Sequence, residues 1–217
     1  MDYFISDTHF GHKNAIRYCD RPFKTVSEMN ETMISKWNEI VTDADRVFVI
    51  GDVFLTDINE AACIIKRLNG YKILVAGNHD RSEKTMLHVG FDEYHKRYEY
   101  EIDGVGKGLL LHYPMPDSII EKLGYDFLIH GHIHRKPKFY GLKLNVAVDL
   151  IDFTPLSLDG VKKILRARRS ESRLESFEAS VNDGMLKVDM KIRVEDFSGA
   201  IDHIYNIMSD HWKEAEK

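Results

Sequence analysis

Five apolar runs in this 217-residue chain, at residues 3–6, 46–50, 71–76, 109–111 and 125–129, each stop within a few residues at Asp, His or Asn, usually beside a glycine. Short runs of β-formers that end in a polar cluster are how an open α/β sheet delivers side chains to a site at its strand ends. One such junction is ordinary turn chemistry. Five in series constrain the fold, because core packing alone does not put an ionisable or metal-ligating side chain at the end of every strand. Between the runs lie helical patterns. Thr25 and Glu28 have capping-box spacing, and Val26, Met29, Met33, Trp37 and Ile40 follow at three- and four-residue intervals, which predicts an amphipathic helix over 26–41. Its Met and Trp stripe reads as core. Asp57 and Glu60 open a second helix running to about residue 69, with Gly70 at its C-terminal end. Strands alternating with helices predict a layered α/β domain.

Elsewhere, residues 10–14 read as a polar loop and 81–90 as a short helical or loop connection. Residues 94–102 pair with 107–111 as a hairpin across Asp103-Gly104. Residues 117–123 read as helical and 144–148 as a last core strand. After Asp159 the character changes. Residues 160–169 are a cationic helix candidate, 185–194 alternate like a strand, and 200–212 have helical periodicity. The expected division is a core over 1–157 and an appendage over 158–217 that packs on the core, covers the site or dimerises.

The length suffices for one α/β domain with a full core. A composition of 43% hydrophobic and 30% charged residues is that of a globular protein, and the net charge of −5 argues against broad, non-specific nucleic-acid binding. Cys19 and Cys63 form no CxxC, sit outside the polar clusters in sequence and read as free thiols of a reducing cytoplasm. No apolar run approaches the roughly 18 residues of a membrane span. The N-terminus has no basic n-region, and with residues 2–6 as a strand no cleavable leader is expected.

The strand-end residues Asp7, His9, Asp52, Asn78, His79, His112, His132 and His134 offer oxygen and imidazole nitrogen but no thiolate. That set suits manganese, iron, zinc or cobalt better than an all-oxygen magnesium site. Eight side chains exceed the three or so that a single catalytic zinc takes. Two metals are the economical solution, and a pair roughly 3.5–4 Å apart shares a carboxylate, for which Asp52 is the natural bridge. Asn78 and His79, side by side, read as one side chain on a metal and one free for proton transfer.

The ordered set Asp7-x-His9, Gly51-Asp52, Gly77-Asn78-His79-Asp80, His112 and Gly131-His132-x-His134, spread over residues 1–157, resembles the calcineurin-like metallophosphoesterases, and within them the small bacterial and phage-type members. The resemblance implies a four-layer α/β/β/α sandwich holding two divalent ions, manganese foremost, with iron, zinc, nickel or cobalt as alternatives. It implies that Asp7, His9 and His134 hold the first ion, that Asn78, His112 and His132 hold the second, and that Asp52 bridges them. The implied reaction is hydrolysis of phosphate mono- or diesters by in-line attack of a metal-bound hydroxide. His79 would assist the leaving oxygen, a role that suits the side chain titrating nearest neutral pH, and Asp80 would orient His79. Val53-Phe54-Leu55 departs from members that place another Asp or Gly there, and predicts a more apolar pocket wall. A nuclease or 2′,3′-cyclic nucleotide phosphodiesterase is the alternative within this chemistry. A non-catalytic scaffold on the same fold is the alternative outside it, and would lack ligands or the catalytic His that are all present here.

His12, Asn14, Arg17, Arg21 and Arg81 lie near the ligands in sequence and are candidates for contact with the phosphoester, nucleotide or nucleic-acid substrate. Tyr113 is a candidate pocket wall, and His130 reads as a core or supporting histidine. His88, His95, His203 and His211 have no motif context. Lys162, Lys163, Arg166, Arg168, Arg169 and Arg173 read as a solvated helix face or, alternatively, a patch steering a polyanion.

Overall fold

A computed structural model describes residues 1–135 and 139–171. The expected elements over 185–194 and 200–212, together with Arg173, His203 and His211, lie outside the described residues. The chain runs β1 (Asp2–Ile5), α1 (Lys13–Tyr18), α2 (Val26–Ile40), β2 (Arg46–Val49), α3 (Ile58–Ile65), β3 (Tyr71–Val75), α4 (Glu83–Val89), β4 (Glu93–His95), β5 (Tyr98–Ile102), β6 (Gly106–Leu110), α5 (Asp117–Lys122), β7 (Phe127–His130), β8 (Phe139–Tyr140), β9 (Lys143–Asn145), β10 (Leu156–Ser157) and α6 (Leu158–Glu171). Two mixed sheets result, ordered β10-β1-β2-β3-β4 and β5-β6-β7-β9-β8. In the first, β1 to β4 are parallel and β10 is antiparallel. In the second, β6, β7 and β9 are parallel, with antiparallel β5 and β8 at the edges.

Side-chain alternation assigns the faces. Val47, Val49, Ile5 and Leu74 pack with Met29, Met33 and Trp37 of α2, Ala61 and Ile65 of α3, and Met86 and Val89 of α4. The intervening Phe4, Phe48, Ile50, Ile73 and Val75 face Tyr100, Leu110, Phe127, Ile129 and Leu144 of the second sheet. Leu109 and Leu128 on the outer face of that sheet meet Ile120 of α5. Both mixed sheets are therefore flanked by helices. Thr25 caps α2 by accepting from the Glu28 backbone N–H at 3.1 Å, and Asp57 caps α3 through the Asn59 and Glu60 amides.

Several local expectations need correction. The short helix α1 takes in Lys13 and Asn14 of the loop expected over 10–14, and Ala15 is its buried contact. The helix opened by Asp57 ends at Ile65, because Asn69 is drawn to the end of α2, accepting from Trp37 Nε1 at 3.0 Å and donating to the Val41 carbonyl at 3.0 Å. Residues 94–102 are not one strand. β4 adds to the first sheet beside β3, and β5 opens the second, so this segment carries the chain between sheets. The hairpin of β5 and β6 stands as expected. β10 runs straight into α6, whose Val161 and Leu165 are buried in the inter-sheet core, so the start of the 158–217 segment packs on the core. Among the described residues no helix is long and apolar enough to cross a membrane.

The sheets are also joined by polar contacts at one end. Asp2 on β1 accepts both Arg46 N–H groups, at 2.9 and 2.6 Å, and the Tyr100 hydroxyl from β5. Burial alone would raise the Asp2 carboxyl, but Arg46 and Tyr100 outweigh it and hold it below the usual range. A depressed carboxyl stabilises the fold above its unfolded value of about 3.9 and loses that contribution as pH falls through its folded value. Tyr100→Phe is expected to cost about 1.5–3 kcal/mol in urea unfolding at pH 7, as for a hydrogen bond to a charged group. The deficit should shrink on acidification. An unchanged midpoint at pH 7 would show that this contact does not stabilise the fold.

Candidate metal centre

The loops after β1, β2 and β3 in one sheet and after β6 and β7 in the other carry Asp7 and His9, Asp52, Asn78 and His79, His112, and His132 and His134. Ser6 fastens the seam between the sheets, donating its N–H to the Val146 carbonyl at 3.0 Å and accepting from Val148 N at 3.0 Å. Asp7 N donates to the Gly51 carbonyl and His9 N to the Asp52 carbonyl, each at 3.0 Å. Eight non-glycine described residues have positive φ, and five of them are Asp7, His9, Asp52, His132 and His134. L-residues resist this region, and strain of this kind gathers where side chains must be aimed at a common point.

Two glycines permit the close approach. A Cβ on Gly77 would strike the Asp52 carboxylate, and one on Gly131 would strike Ser6 and Asp7. Neither glycine has positive φ, so Gly77 serves by lacking a side chain and not by allowing a left-handed turn.

Three groups of potential ligands result among the described residues: two hold the expected ligands, and the third is Cys19, His134 and Asp149. Asp7, His9 and His134 offer ligand atoms within 4.8 Å of one another, and so do Asp52, His112 and His132. Asn78 joins the second group, with Oδ1 3.2 Å from His112 Nε2. Asp52 reaches both, its Oδ2 lying 3.3 Å from His112 Nε2 and 3.8 Å from His9 Nε2. The geometry brings together all seven residues expected as ligands, with Asp52 between the groups. The neighbours set the tautomers. His112 Nδ1 donates to the Ile50 carbonyl at 2.8 Å, and His134 Nδ1 to Asp149 Oδ2 at 2.8 Å, which leaves both Nε2 atoms facing the carboxylates.

The charge pattern fits a cation. Asp7 and Asp52 are buried, at 0% and 2% exposure, within one cluster of imidazoles. Burial pushes the Asp7 carboxyl up, and the charge of Asp52 adds to that. Asp52 is held well below the usual carboxylate range, because His112 and His9 outweigh its burial. Burial would lower His112, but Asp52 and Asp7 carry it up to about 9. Burial and then the neighbouring His112 push His132 down to about 4, so it stays neutral with a free lone pair. The buried His9 Nδ1 has no hydrogen-bond partner. An orphaned buried nitrogen lies beside two buried carboxylates that draw a proton onto His112, and two divalent ions bound among these donors would supply that positive charge in its place.

His79 is half-exposed. Its backbone N–H donates to Asp52 Oδ1 at 3.0 Å, and its ring Nε2 lies 3.9 Å from Asp52 Oδ2. Asp80 does not bond to the His79 ring as expected. Its carboxylate accepts the backbone N–H groups of Asp52, Val53 and Gly77 at 2.9, 3.0 and 2.7 Å, tying the loops after β2 and β3 together. Its effect on His79 is therefore through backbone.

His12 packs its ring 5.5 Å from that of His9. Tyr113, 41% exposed, lies with its ring 4.6 Å from that of His132. Asn14, Arg17 and Arg81 are exposed, and Arg17 lies over the Tyr18 ring. Arg21 is not a substrate-facing cation, because its side chain is fully buried against Asp149. His130 is a buried core histidine whose Nδ1 lies 2.8 Å from the Gly131 carbonyl. Cys19 is correctly a free thiol but not remote from the clusters, since its Sγ lies 3.3 Å from His134 Nδ1. Asp149 was missed by sequence reasoning, although it follows the apolar run 144–148 in the same manner as the other site residues.

No protein-family model matches the chain. The uncharacterized protein MJ1445 of Methanocaldococcus jannaschii is 37% identical over an alignment of 173 residues that covers 75% of this chain and 90% of that one. The chain belongs to the family of MJ1445. A crystal structure of the protein of unknown function AQ665 from Aquifex aeolicus superposes with a TM-score of 0.64 at 32% identity, covering 76% of this chain and 98% of that one. Both likenesses span nearly the whole of the relative.

Mn²⁺ is expected to raise the melting temperature of EDTA-treated protein, by the equivalent of about 2.7 kcal/mol at a hundredfold excess over Kd for each site. Asp52→Ala should lose most of that shift because Asp52 borders both groups. A full shift in the variant would deny it the bridging position.

Proposed function

We propose that the protein is a dinuclear-metal phosphoesterase with the four-layer α/β/β/α architecture of the metallophosphoesterases. The observation carrying this reading is the position of Asp52, between the two ligand groups and beside His79. Asp7, His9 and His134 would hold one ion and Asn78, His112 and His132 the other, with Asp52 shared. When bound, the ions would supply Lewis-acid activation of water and of phosphoryl oxygens.

The chain's own residues supply orientation and a proton. His112 and His134 present Nε2 in fixed tautomers because the Ile50 carbonyl and Asp149 occupy their Nδ1 protons. His79 is pinned at its backbone by Asp52, while its half-exposed ring is open to a departing group. A proton held on His79 Nε2 would pass to the leaving oxygen, so its contribution grows as the leaving group becomes more basic. His12 beside His9 and Tyr113 beside His132 border the metal cluster and are placed to meet a phosphoester's substituents.

The test is a panel of mono- and bis-nitrophenyl phosphate, 2′,3′-cyclic nucleotides and single-stranded DNA, each with Mn²⁺, Ni²⁺, Zn²⁺ and Mg²⁺ separately. Metal-dependent turnover of at least one ester is expected. Activity on none, with metal bound, would favour the scaffold reading. In the active assay, His79→Asn is expected to lower kcat by about 10²–10⁴ on an alkyl leaving group and far less on nitrophenolate. Equal turnover on the alkyl ester would remove the proton-donor assignment.

A further inference from the structure

The two ligand groups are held from behind in different ways. His112 gives its Nδ1 proton to a neutral acceptor, the Ile50 carbonyl. His134 gives its own to a carboxylate, Asp149, at 2.8 Å. That carboxylate is gripped by Arg21, whose Nε lies 2.9 Å from Oδ1 and whose Nη2 lies 3.2 Å from Oδ2. The Arg21 side chain is 0% exposed and that of Asp149 2%. The same guanidinium donates to the Asp7 carbonyl at 2.7 Å and the Thr8 carbonyl at 2.9 Å. One buried cation therefore anchors the backbone from Asp7 to Thr8, directly before His9, and the carboxylate behind His134.

A buried Arg–Asp pair could be only a staple between the loop at Arg21 and the turn at Asp149, and such pairs are often replaceable by apolar groups. Two features go beyond a staple. Asp149 Oδ2 is shared between Arg21 and the imidazole, so it fixes the ring's tautomer and rotation as well as the loop. Apart from Met29 Sδ, 3.5 Å from Arg21 Nη1, the acceptors that Arg21 reaches belong to, or adjoin, one ligand group and not the other. Cys19 Sγ, 3.3 Å from the same nitrogen, is a weaker competitor, because a thiol accepts poorly beside an ionised carboxylate.

We infer that Asp149, clamped by Arg21, is a positioning residue for His134 and raises metal affinity selectively at the Asp7–His9–His134 group. A carboxylate on the far nitrogen strengthens an imidazole as a donor, and losing such a partner weakens metal binding about 10–100-fold. The inference rests on the dinuclear reading, but its readout needs no substrate and is independent of the hydrolysis panel.

The experiment is calorimetric titration of Mn²⁺ into the EDTA-stripped, dialysed full chain and its variants, with a melting curve of each metal-free protein. Wild type is expected to show two sites. Asp149→Asn should weaken one of them about 10–100-fold and leave the other close to wild type. Cys19→Ser should leave both unchanged. Arg21→Lys keeps the charge but loses the two-pronged grip, and should weaken the same site by a smaller factor; it stands in if Asp149→Asn does not fold. A lower melting temperature with wild-type affinity at both sites would make the pair a staple and overturn the inference. Equal weakening of both sites, or weakening by Cys19→Ser in place of Asp149→Asn, would also overturn it. A wild type that binds no Mn²⁺ would overturn it together with the metal reading.

Discussion

Two carboxylates, Asp7 and Asp52, are buried among imidazoles at the seam where the sheets meet. A buried charge is tolerated only where it is paired or bonded, and much of the local structure serves that need. Asp7 accepts the Ser6 hydroxyl at 2.6 Å and the His132 backbone N–H, which crosses from the other sheet. Asp52 accepts the His79 backbone N–H and lies against His112. These same bonds hold the strand-end loops in register. Ordering of the loops and preparation for a cation are one set of interactions.

The positive φ at five candidate ligand positions follows from this. Each parallel strand must stop, turn its last polar residue sideways and yield space to the loop of its neighbour. Asp and His tolerate the left-handed region better than β-branched residues do. Gly77 and Gly131 supply the clearance that no other residue gives. The site is therefore built from backbone geometry as much as from donor chemistry, and Asp80 belongs to that backbone support.

Much of this was legible in the sequence, for physical reasons that can be named. The continuous apolar run Val47-Phe48-Val49 marks a strand buried on both faces, and the three- and four-residue spacing in α2 marks its buried stripe. The candidate ligands were legible because a polar side chain at the end of an apolar run is local information. What was not legible depends on distant contacts. β4 and β5 are separated only by the sheet each joins. Cys19 meets His134 across 115 positions, and Arg21 meets Asp149 across 128. Nothing near Arg21 in the chain marks it as buried, so it reads as a surface cation until its carboxylate is found. Gly77 was legible as a special position, but its reason, clearance for Asp52, lies on another strand.

The proposed dinuclear reading requires that the cluster bind two ions with Asp52 between them. Anomalous diffraction from crystals grown with Mn²⁺ tests it most directly. Two peaks are expected, one enclosed by Asp7, His9 and His134 and the other by Asn78, His112 and His132, with Asp52 touching both. A single peak, or peaks away from these residues, would contradict it.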